Sequence, residues 1–238
     1  MAQMKAHKVP QRLPPQVRDT IAAMGKASRR RAEHRARSTT PKTAAIIRPL
    51  VHADLTQVMY LLQEVVQQRD PEALSLYLSD PSPANRFGTG LVAEDGGRIV
   101  GVVAGAGIRL DMPGLQVSED EIARRIALLD VLAVEPGHRR QGIGALLHDS
   151  LLTYFQDLRH RLVLTKLAAG RSDLVPRYSR WRWNVGNVGA GVAVAIGPDH
   201  LVLAEDPAVR TAWFPLTPQV RSTLSGFPGI SVVTGAFD

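Results

Sequence analysis

The segment from Leu132 to Gly144, LAVEPGHRRQGIG, holds the residues best suited to binding an anion. Arg139 and Arg140 supply positive charge, and Gly142 and Gly144 carry no Cβ atoms to keep an anion away from the backbone. Apolar residues at helical spacing follow, so a helix is expected to begin near Gly142. The unpaired N–H groups and partial positive charge of a helix N-terminus favour anions. A strand followed by a glycine-containing turn and a helix N-terminus therefore predicts a binding site for a pyrophosphate group.

Two common phosphate-binding motifs do not fit this segment. A P-loop needs Gly-Lys-Ser or Gly-Lys-Thr, and neither follows Gly144. The dinucleotide-binding fingerprint needs a third glycine where Leu147 stands, and the segment lies too far into the chain. The anion site predicted here therefore belongs to another class.

The elements around the segment follow from hydrophobic periodicity and turn residues. Strands are predicted at residues 43–48, on both sides of Asp95-Gly96-Gly97-Arg98, before Glu135, at residues 162–167 and on both sides of Gly197-Pro198-Asp199. Helices are predicted after a cap at Asp54, from Asp70-Pro71 to about Asp80, and at residues 142–159 and 173–180. This order predicts an α/β fold, a mixed sheet with helices packed on its faces.

The run Arg139-Arg140-Gln141-Gly142-Ile143-Gly144 matches R/Q-x-x-G-x-G/A, the motif of the GCN5-related N-acetyltransferase (GNAT) family. Together with the element order over residues 43–204, it makes the chain resemble that family. The resemblance implies the acyl-CoA N-acyltransferase fold, a central and mostly antiparallel sheet flanked by helices. It also implies acetyl-CoA as cosubstrate.

The resemblance assigns two parts of the CoA site. The strand residues whose backbone would pair with the pantetheine arm are Leu132, Ala133 and Val134. The residues whose amides would hold the pyrophosphate are Arg139, Arg140, Gln141, Gly142, Ile143, Gly144 and Ala145. Ser172 stands where the family often has an asparagine near the pantetheine, although a helix N-cap is the alternative interpretation.

Tyr178 is the candidate general acid. Members of the family usually take this residue from a pattern like Y-x-x-x-G-F, and here Arg182 and Trp183 replace the glycine and phenylalanine. Packing alone is the alternative role for Tyr178. Trp181 and Trp183 are expected either to border the acceptor site or to pack, and His148 is expected on a polar helix face.

Asp130 is the candidate base, because it is the one carboxylate in residues 126–134. Strict alternation along a strand would place it on the same face as Leu132 and Val134, where it could take a proton through water. The alternative is an ion pair with an arginine of a neighbouring strand. Glu135, past the strand end, is expected to be solvated.

The net charge of +7 is unevenly distributed. Residues 1–42 hold eleven basic and two acidic residues, a charge of +9, which leaves −2 for the rest of the chain. Three regions are predicted: a basic, mostly disordered extension (1–42), the acetyltransferase domain (43–205), and a C-terminal extension (206–238) that packs on the domain or completes it. The basic extension suggests a weak contact with a polyanion, or no partner at all.

Composition excludes several function classes. The chain has no cysteine, which rules out disulfides, thiolate metal sites and a cysteine nucleophile. Its seven histidines show no metal-ligand spacing, so no metal is expected. No apolar run approaches the roughly 18 residues of a membrane span, and a cytoplasmic protein without membrane contact is expected.

Three functions stay open at this point. The first is transfer of an acetyl group from acetyl-CoA to a primary amine by direct attack in a ternary complex. The acceptor is either a small molecule or a protein amine. The second is a catalytically silent acyl-CoA-binding module, and the third is a nucleic-acid-associated protein that acts through its basic extension. The oligomeric state is also open, a homodimer included.

Overall fold

Six stretches of the chain are described by the computed structural model: residues 45–65, 88–108, 117–196, 199–203, 206–224 and 229–237. The basic segment 1–42 and the helix predicted between Asp70 and Asp80 lie outside them. Among the described residues, no helix is long and apolar enough to cross a membrane.

Eleven strands and four α-helices make up the described fold. The strands are β1 (Ile46–Pro49), β2 (Gly88–Asp95), β3 (Arg98–Gly107), β4 (Ile126–Val134), β5 (Leu162–Ala168), β6 (Asn184–Val188), β7 (Gly191–Ile196), β8 (Asp199–Leu203), β9 (Val209–Pro215), β10 (Arg221–Leu224) and β11 (Ile230–Thr234). The helices are α1 (Leu55–Val65), α2 (Glu119–Arg125), α3 (Ile143–Asp157) and α4 (Val175–Arg180). Short 3₁₀ turns precede α1, α3 and α4.

Seven strands form the larger sheet, in the spatial order β1-β2-β3-β4-β5-β9-β6. Neighbours are antiparallel except β4 and β5, which run parallel. Val58 and Leu62 of α1 belong to one hydrophobic core, and Leu147 and Phe155 of α3 belong to another. Because residues of β3 and β4 contribute alternately to these cores, the two helices cover opposite faces of the sheet. The predicted mixed sheet with helices on its faces is confirmed.

The predicted hairpin between β2 and β3 is also confirmed. Gly96 and Gly97 form its turn with φ of +59° and +82°. Residues with a side chain rarely adopt this left-handed region, so the glycine pair permits the tight connection. The turn brings Glu94 opposite Ile99 and Asp95 opposite Arg98.

Strand β4 contains a bulge at Asp130. Ala104 of β3 pairs with Val131 and Gly105 pairs with Leu129, which leaves Asp130 as the extra residue. Strict alternation along the strand therefore does not hold across Asp130. Leu129 and Leu132, three positions apart, both contact the core beneath α3.

Strands β4 and β5 separate soon after they pair. Their parallel pairing runs only from Ile126 and Leu162 to Leu128 and Leu164. Beyond that point β4 stays paired with β3, while β5 stays paired with β9. A gap therefore opens beside residues 129–134 of β4, and the backbone on that side has no strand partner among the described residues.

A second sheet follows the order β10-β11-β7-β8. Its side chains, such as Val194 and Val233, share a hydrophobic core with Ile126, Leu164 and Trp213 of the larger sheet. The predicted hairpin between β7 and β8 belongs to this sheet and is confirmed. Strands β6, β9, β10 and β11 were not among the predicted elements.

Helix α2 was also missed, although its sequence carries clear signals. The hydroxyl of Ser118 accepts a hydrogen bond from the amide of Glu121 at 3.2 Å, as expected of an N-cap. Acidic residues occupy the first turn, and Arg124 and Arg125 the last, which suits the helix dipole. The pattern Ser-x-x-Glu before an apolar pair is the capping-box signature, and it could have identified this helix.

Candidate active site

The loop between β4 and α3 is held against the strand end. Gly142, the N-cap of α3, has φ of +93°, a left-handed conformation that favours glycine. Arg140 is also left-handed, with φ of +67°. The Arg139 side chain donates through Nε to the carbonyl of Val134 at 3.1 Å, and Gln141 donates through Nε2 to the carbonyl of Gly137 at 3.3 Å. These bonds position the loop and the first turn of α3.

The first turn of α3 offers hydrogen-bond donors without a competing negative charge. The amides of Ala145 and Leu146 both donate to the carbonyl of Gly142 at 3.0 Å. The amides of Ile143 and Gly144 lie at the start of the helix, where no helical carbonyl precedes them to accept a hydrogen bond. The turn contains no acidic residue, so its amides and the helix dipole make a positive corner.

A side chain at Gly144 would not clash with other atoms of the protein. A Cβ atom built there would lie 3.5 Å from Cγ2 of Val134, an ordinary van der Waals contact. Packing therefore does not require glycine at this position. A methyl group would instead occupy space in the cleft that Gly144 lines.

A cleft of about 790 Å³ connects this corner to the segment after β5. Its lining includes Leu132, Ala133, Val134, His138, Arg139, Arg140, Gly142, Gly144, Ala145, Arg171, Asp173, Leu174, Pro176, Arg177, Tyr178, Arg180 and Trp181. The cleft thus brings together the predicted acid, Tyr178, with most of the predicted CoA-binding residues.

Four predicted site residues are not part of that lining. Gln141 is half-buried, Ile143 is buried in the core beneath α3, and Ser172 is exposed at the start of a 3₁₀ turn whose N-cap is Arg171. Asp130 is exposed at the bulge of β4 and makes interactions elsewhere. Their roles stay predictions.

Tyr178 is buried, with 5% of its surface exposed. Its ring packs edge-on against Trp181 and Trp183, with centroids 5.5 and 5.3 Å apart, and its hydroxyl hydrogen-bonds with Thr165 of β5. Burial raises the pKa of this phenol, which keeps it protonated at neutral pH. Tyr178 lines the cleft, and a protonated hydroxyl can act as a proton donor.

The family comparison agrees with this geometry. The model described as the acetyltransferase (GNAT) family matches residues 55–173. The chain belongs to the GNAT family. It is therefore an acyltransferase, and the fold of this family binds CoA or acetyl-CoA.

Solved GNAT structures share the fold at low sequence identity. Ard1 from Thermoplasma volcanium is 17% identical, with a TM-score of 0.51, and the match covers 74% of this chain and 99% of that one. An N-acetyltransferase from Staphylococcus aureus Mu50 is 13% identical, with a TM-score of 0.52 and coverage of 74% and 100%. The ribosomal-protein-alanine N-acetyltransferase from Brucella melitensis is 17% identical, with a TM-score of 0.51 and coverage of 71% and 99%. No curated protein matches the chain in sequence.

The departure of this chain from the GNAT pattern Y-x-x-x-G-F has a structural explanation. Arg182 stands in the glycine position and adopts φ of +68°, the conformation for which glycine is preferred. The amide of Trp183 donates to the carbonyl of Tyr178 at 3.0 Å, which closes the helix end. Helix α4 is therefore followed by an arginine in a conformation that is costly for a residue with a side chain.

Trp183 replaces the phenylalanine of the GNAT pattern and has a polar partner. Its indole Nε1 donates to Nε2 of His148 at 2.9 Å, and the His148 ring stacks on Trp181 with centroids 4.4 Å apart. Nδ1 of His148 lies 2.9 Å from a carboxylate oxygen of Asp149. Burial lowers the pKa of His148 against the opposing effect of Asp149, which favours the neutral ring that Trp183 requires.

The expectation that His148 lies on a polar face of the helix is wrong, because only 2% of its surface is exposed. His148, Leu151, Leu152 and Phe155 follow the spacing i, i+3, i+4, i+7, and all four are buried. That spacing was a usable signal in the sequence.

The expectation for Glu135 is also wrong. Its surface is 9% exposed, and its carboxylate forms an ion pair with Arg98 and lies 2.6 Å from Nδ1 of His138. The Glu135 amide donates to the carbonyl of Val100, so the residue still belongs to the end of the β3–β4 ladder. This position buries the side chain instead of leaving it in water.

Proposed function

We propose that the chain transfers an acetyl group from acetyl-CoA to a primary amine by direct attack in a ternary complex. The observation that carries the proposal is the shared cleft. The donor-rich start of α3 and Tyr178, whose hydroxyl is protonated, both line it. Anion binding and proton donation are the two functions that this transfer asks of the protein.

The cleft supports CoA binding in three ways. The unpaired amide of Gly144 can donate to a diphosphate, and Arg139 and Arg140 add charge beside it. The missing side chain at Gly144 leaves room for close approach. Beside Leu132 and its neighbours, β4 has unpaired backbone that an extended amide-containing arm can use. Bound acetyl-CoA would supply an activated thioester.

The reaction balances without a covalent enzyme intermediate. The amine nitrogen forms a bond to the acetyl carbon, the carbon–sulfur bond breaks, and the sulfur takes a proton from the Tyr178 hydroxyl. The amine loses a proton to a base or to water. An acetyl-cysteine intermediate is excluded, because the chain has no cysteine.

Asp130 is the proposed base. Asp130 lies at the bulge of β4, outside the cleft lining, so its action would require a water-mediated path. The acceptor amine, small-molecule or protein, and the cytoplasmic location stay predictions. Residues 66–87 and 109–116 lie outside the described stretches.

A panel of amines tests the proposal. Full-length protein is incubated with acetyl-CoA and each amine (amino acids, polyamines, aminoglycosides and peptides with free N-termini), and CoA release is measured. Mass spectrometry should show one acetyl group added to an active amine. CoA binding with no turnover on any of these amines would favour the silent module instead.

A further inference from the structure

His148 lies at the centre of the aromatic cluster behind Tyr178. Its ring stacks on Trp181 with centroids 4.4 Å apart and an angle of 18° between the planes, and its Nε2 accepts the indole N–H of Trp183 at 2.9 Å. Phe214 of β9 adds an edge contact, with centroids 6.5 Å apart. Both tryptophans in turn pack edge-on against the Tyr178 ring. One imidazole therefore holds both of the tryptophan rings that contact Tyr178.

The hydrogen bond to Trp183 requires one particular form of the imidazole. An indole N–H can only donate, so Nε2 of His148 must be the ring nitrogen without a proton. Nδ1 then carries the proton and donates to the carboxylate of Asp149, 2.9 Å away. Because the two ring nitrogens have different partners, one orientation of the imidazole satisfies both. The hydrogen bonds therefore fix the rotation of this ring, which packing alone would not do.

His148 and Trp183 lie outside the described lining of the cleft, whereas Tyr178 belongs to it. His148 exposes 2% of its surface and Trp183 exposes 4%, which leaves little area for contact with a ligand. Any effect of His148 on turnover should therefore pass through Tyr178 or its neighbour Trp181. Packing beneath α3 requires only an apolar side chain, as at Leu151 three residues later, so the buried polar ring indicates a more specific role.

We infer that His148 is a positioning residue for Tyr178. It orients Trp181 and Trp183, and these rings hold the phenol so that its hydroxyl meets the sulfur of the bound thioester. This inference rests on the proposed role of Tyr178 as the general acid. A reacting group that is misplaced by about 1 Å can cost roughly 100-fold in rate. His148 should therefore matter for turnover and much less for CoA binding.

A double-mutant cycle with Tyr178→Phe tests the inference. Full-length protein is assayed with acetyl-CoA and the most active amine of the panel, and kcat and KM are measured separately. His148→Leu removes the acceptor of the indole N–H and should lower kcat by about 10- to 100-fold, with the KM for acetyl-CoA nearly unchanged. In the Tyr178→Phe background the same substitution should hardly change kcat, because no proton donor remains to be positioned.

Two further variants separate positioning from packing. His148→Gln places an amide oxygen where Nε2 accepts the indole N–H, and it should restore most of the wild-type kcat. His160→Leu is the matched control, because His160 is 1% exposed and its ring nitrogens face backbone carbonyls, but its ring packs against Phe155. This control should lower the free energy of unfolding and leave kcat close to the wild-type value.

The outcomes separate this inference from the proposed function. Equal losses of kcat from His148→Leu in both backgrounds, or no loss in either, would overturn the positioning role and leave Tyr178 as the acid. A loss of less than about fivefold in Tyr178→Phe alone would overturn the acid and the inference together, as would the absence of turnover on every amine. If His148→Leu does not fold, Trp183→Phe breaks the same hydrogen bond from the other side and is assayed in the same two backgrounds.

Discussion

The two sides of the cleft present different chemical groups, backbone on one side and side chains on the other. The side made by the end of β4, the loop and the first turn of α3 (residues 132–145, here the loop wall) relies on backbone amides and glycines. The side made by residues 171–183 (the helix wall) relies on side chains, namely arginines, Tyr178 and Trp181. A backbone site tolerates no added atoms, whereas a side-chain site depends on the packing that holds each group in place.

CoA binding should be lost when a side chain is added to the loop wall at Gly144, which lines the cleft. Gly144→Glu places bulk and negative charge at the anion corner, and like-charge contact costs several kcal/mol, so CoA affinity should fall by more than about 100-fold. Calorimetry with CoA measures the loss. Gly137→Glu is the matched control, since a Cβ at Gly137 meets nothing within 4 Å and the residue does not line the cleft. Equal affinity in the two variants would contradict the assignment of the loop wall.

The helix wall should instead lose catalysis while keeping its ligand. Tyr178→Phe deletes one hydroxyl and should lower turnover by roughly 100- to 10,000-fold, the usual contribution of general acid catalysis, with CoA affinity nearly unchanged. Steady-state rates on an active amine and calorimetry separate the two effects.

Tyr154→Phe provides the control for the tyrosine test. Tyr154 is half-buried on α3 and does not line the cleft, so removal of its hydroxyl should leave turnover close to the wild-type value. A loss of less than about fivefold in Tyr178→Phe would show that another group protonates the sulfur.

Acid should weaken the packing behind the helix wall. Burial lowers the pKa of His148 in the folded state, below the value of about 6.5 that it has in the unfolded chain. As pH falls through 6.5, the unfolded chain takes up a proton that the folded chain resists, and the free energy of unfolding decreases.

Urea unfolding at pH 7.5, 6.5 and 5.5 measures this decrease. His148→Gln keeps an acceptor for the Trp183 indole but does not titrate, so its stability should depend less on pH than that of the wild type. His160, also buried with a lowered pKa, remains in both proteins and contributes equally to each. An identical pH dependence in the two proteins would exclude His148 as the source.

The smallest effect is expected where the chain departs from the GNAT pattern. Arg182→Gly should stabilise the protein by about 0.5 kcal/mol. The substitution removes the conformational strain of a left-handed arginine, and this gain in free energy exceeds the cost of the larger backbone entropy that glycine has in the unfolded chain. Thermal or urea unfolding measures the change. Ser179→Gly, an exposed position within α4, should have the opposite sign. Destabilisation by Arg182→Gly would mean that the arginine side chain makes a contact worth more than the strain.

The contrast between the walls also explains what the sequence could predict. The turns at Gly96 and Gly97 and at Gly142 were predictable because glycine is the residue that most readily adopts a positive φ, and this rule is local. The helix wall was only partly predictable. Tyr178 followed from a family pattern, but the hydrogen bond between Trp183 and His148 joins residues 35 positions apart, and no local rule contains it.

Other misses have different causes. The signals for α2 and for the buried face of His148 were present, as capping chemistry and helical spacing, and were not used. The bulge at Asp130 arises from the register between β3 and β4, which depends on both strands together. Strands β10 and β11 are short, at four and five residues, and are defined by their pairing more than by their composition.

The position of β9 between β5 and β6 has a consequence for the order in which the protein can fold. β5 is synthesised more than forty residues before its antiparallel partner β9, which in turn separates it from β6. During translation, one edge of β5 therefore stays unpaired until residues 209–215 have left the ribosome. An unpaired strand edge can form hydrogen bonds with a strand of another chain, which promotes aggregation. A chain that stops before β9 would keep the whole anion-binding motif and still lack the strand that joins β5 to β6.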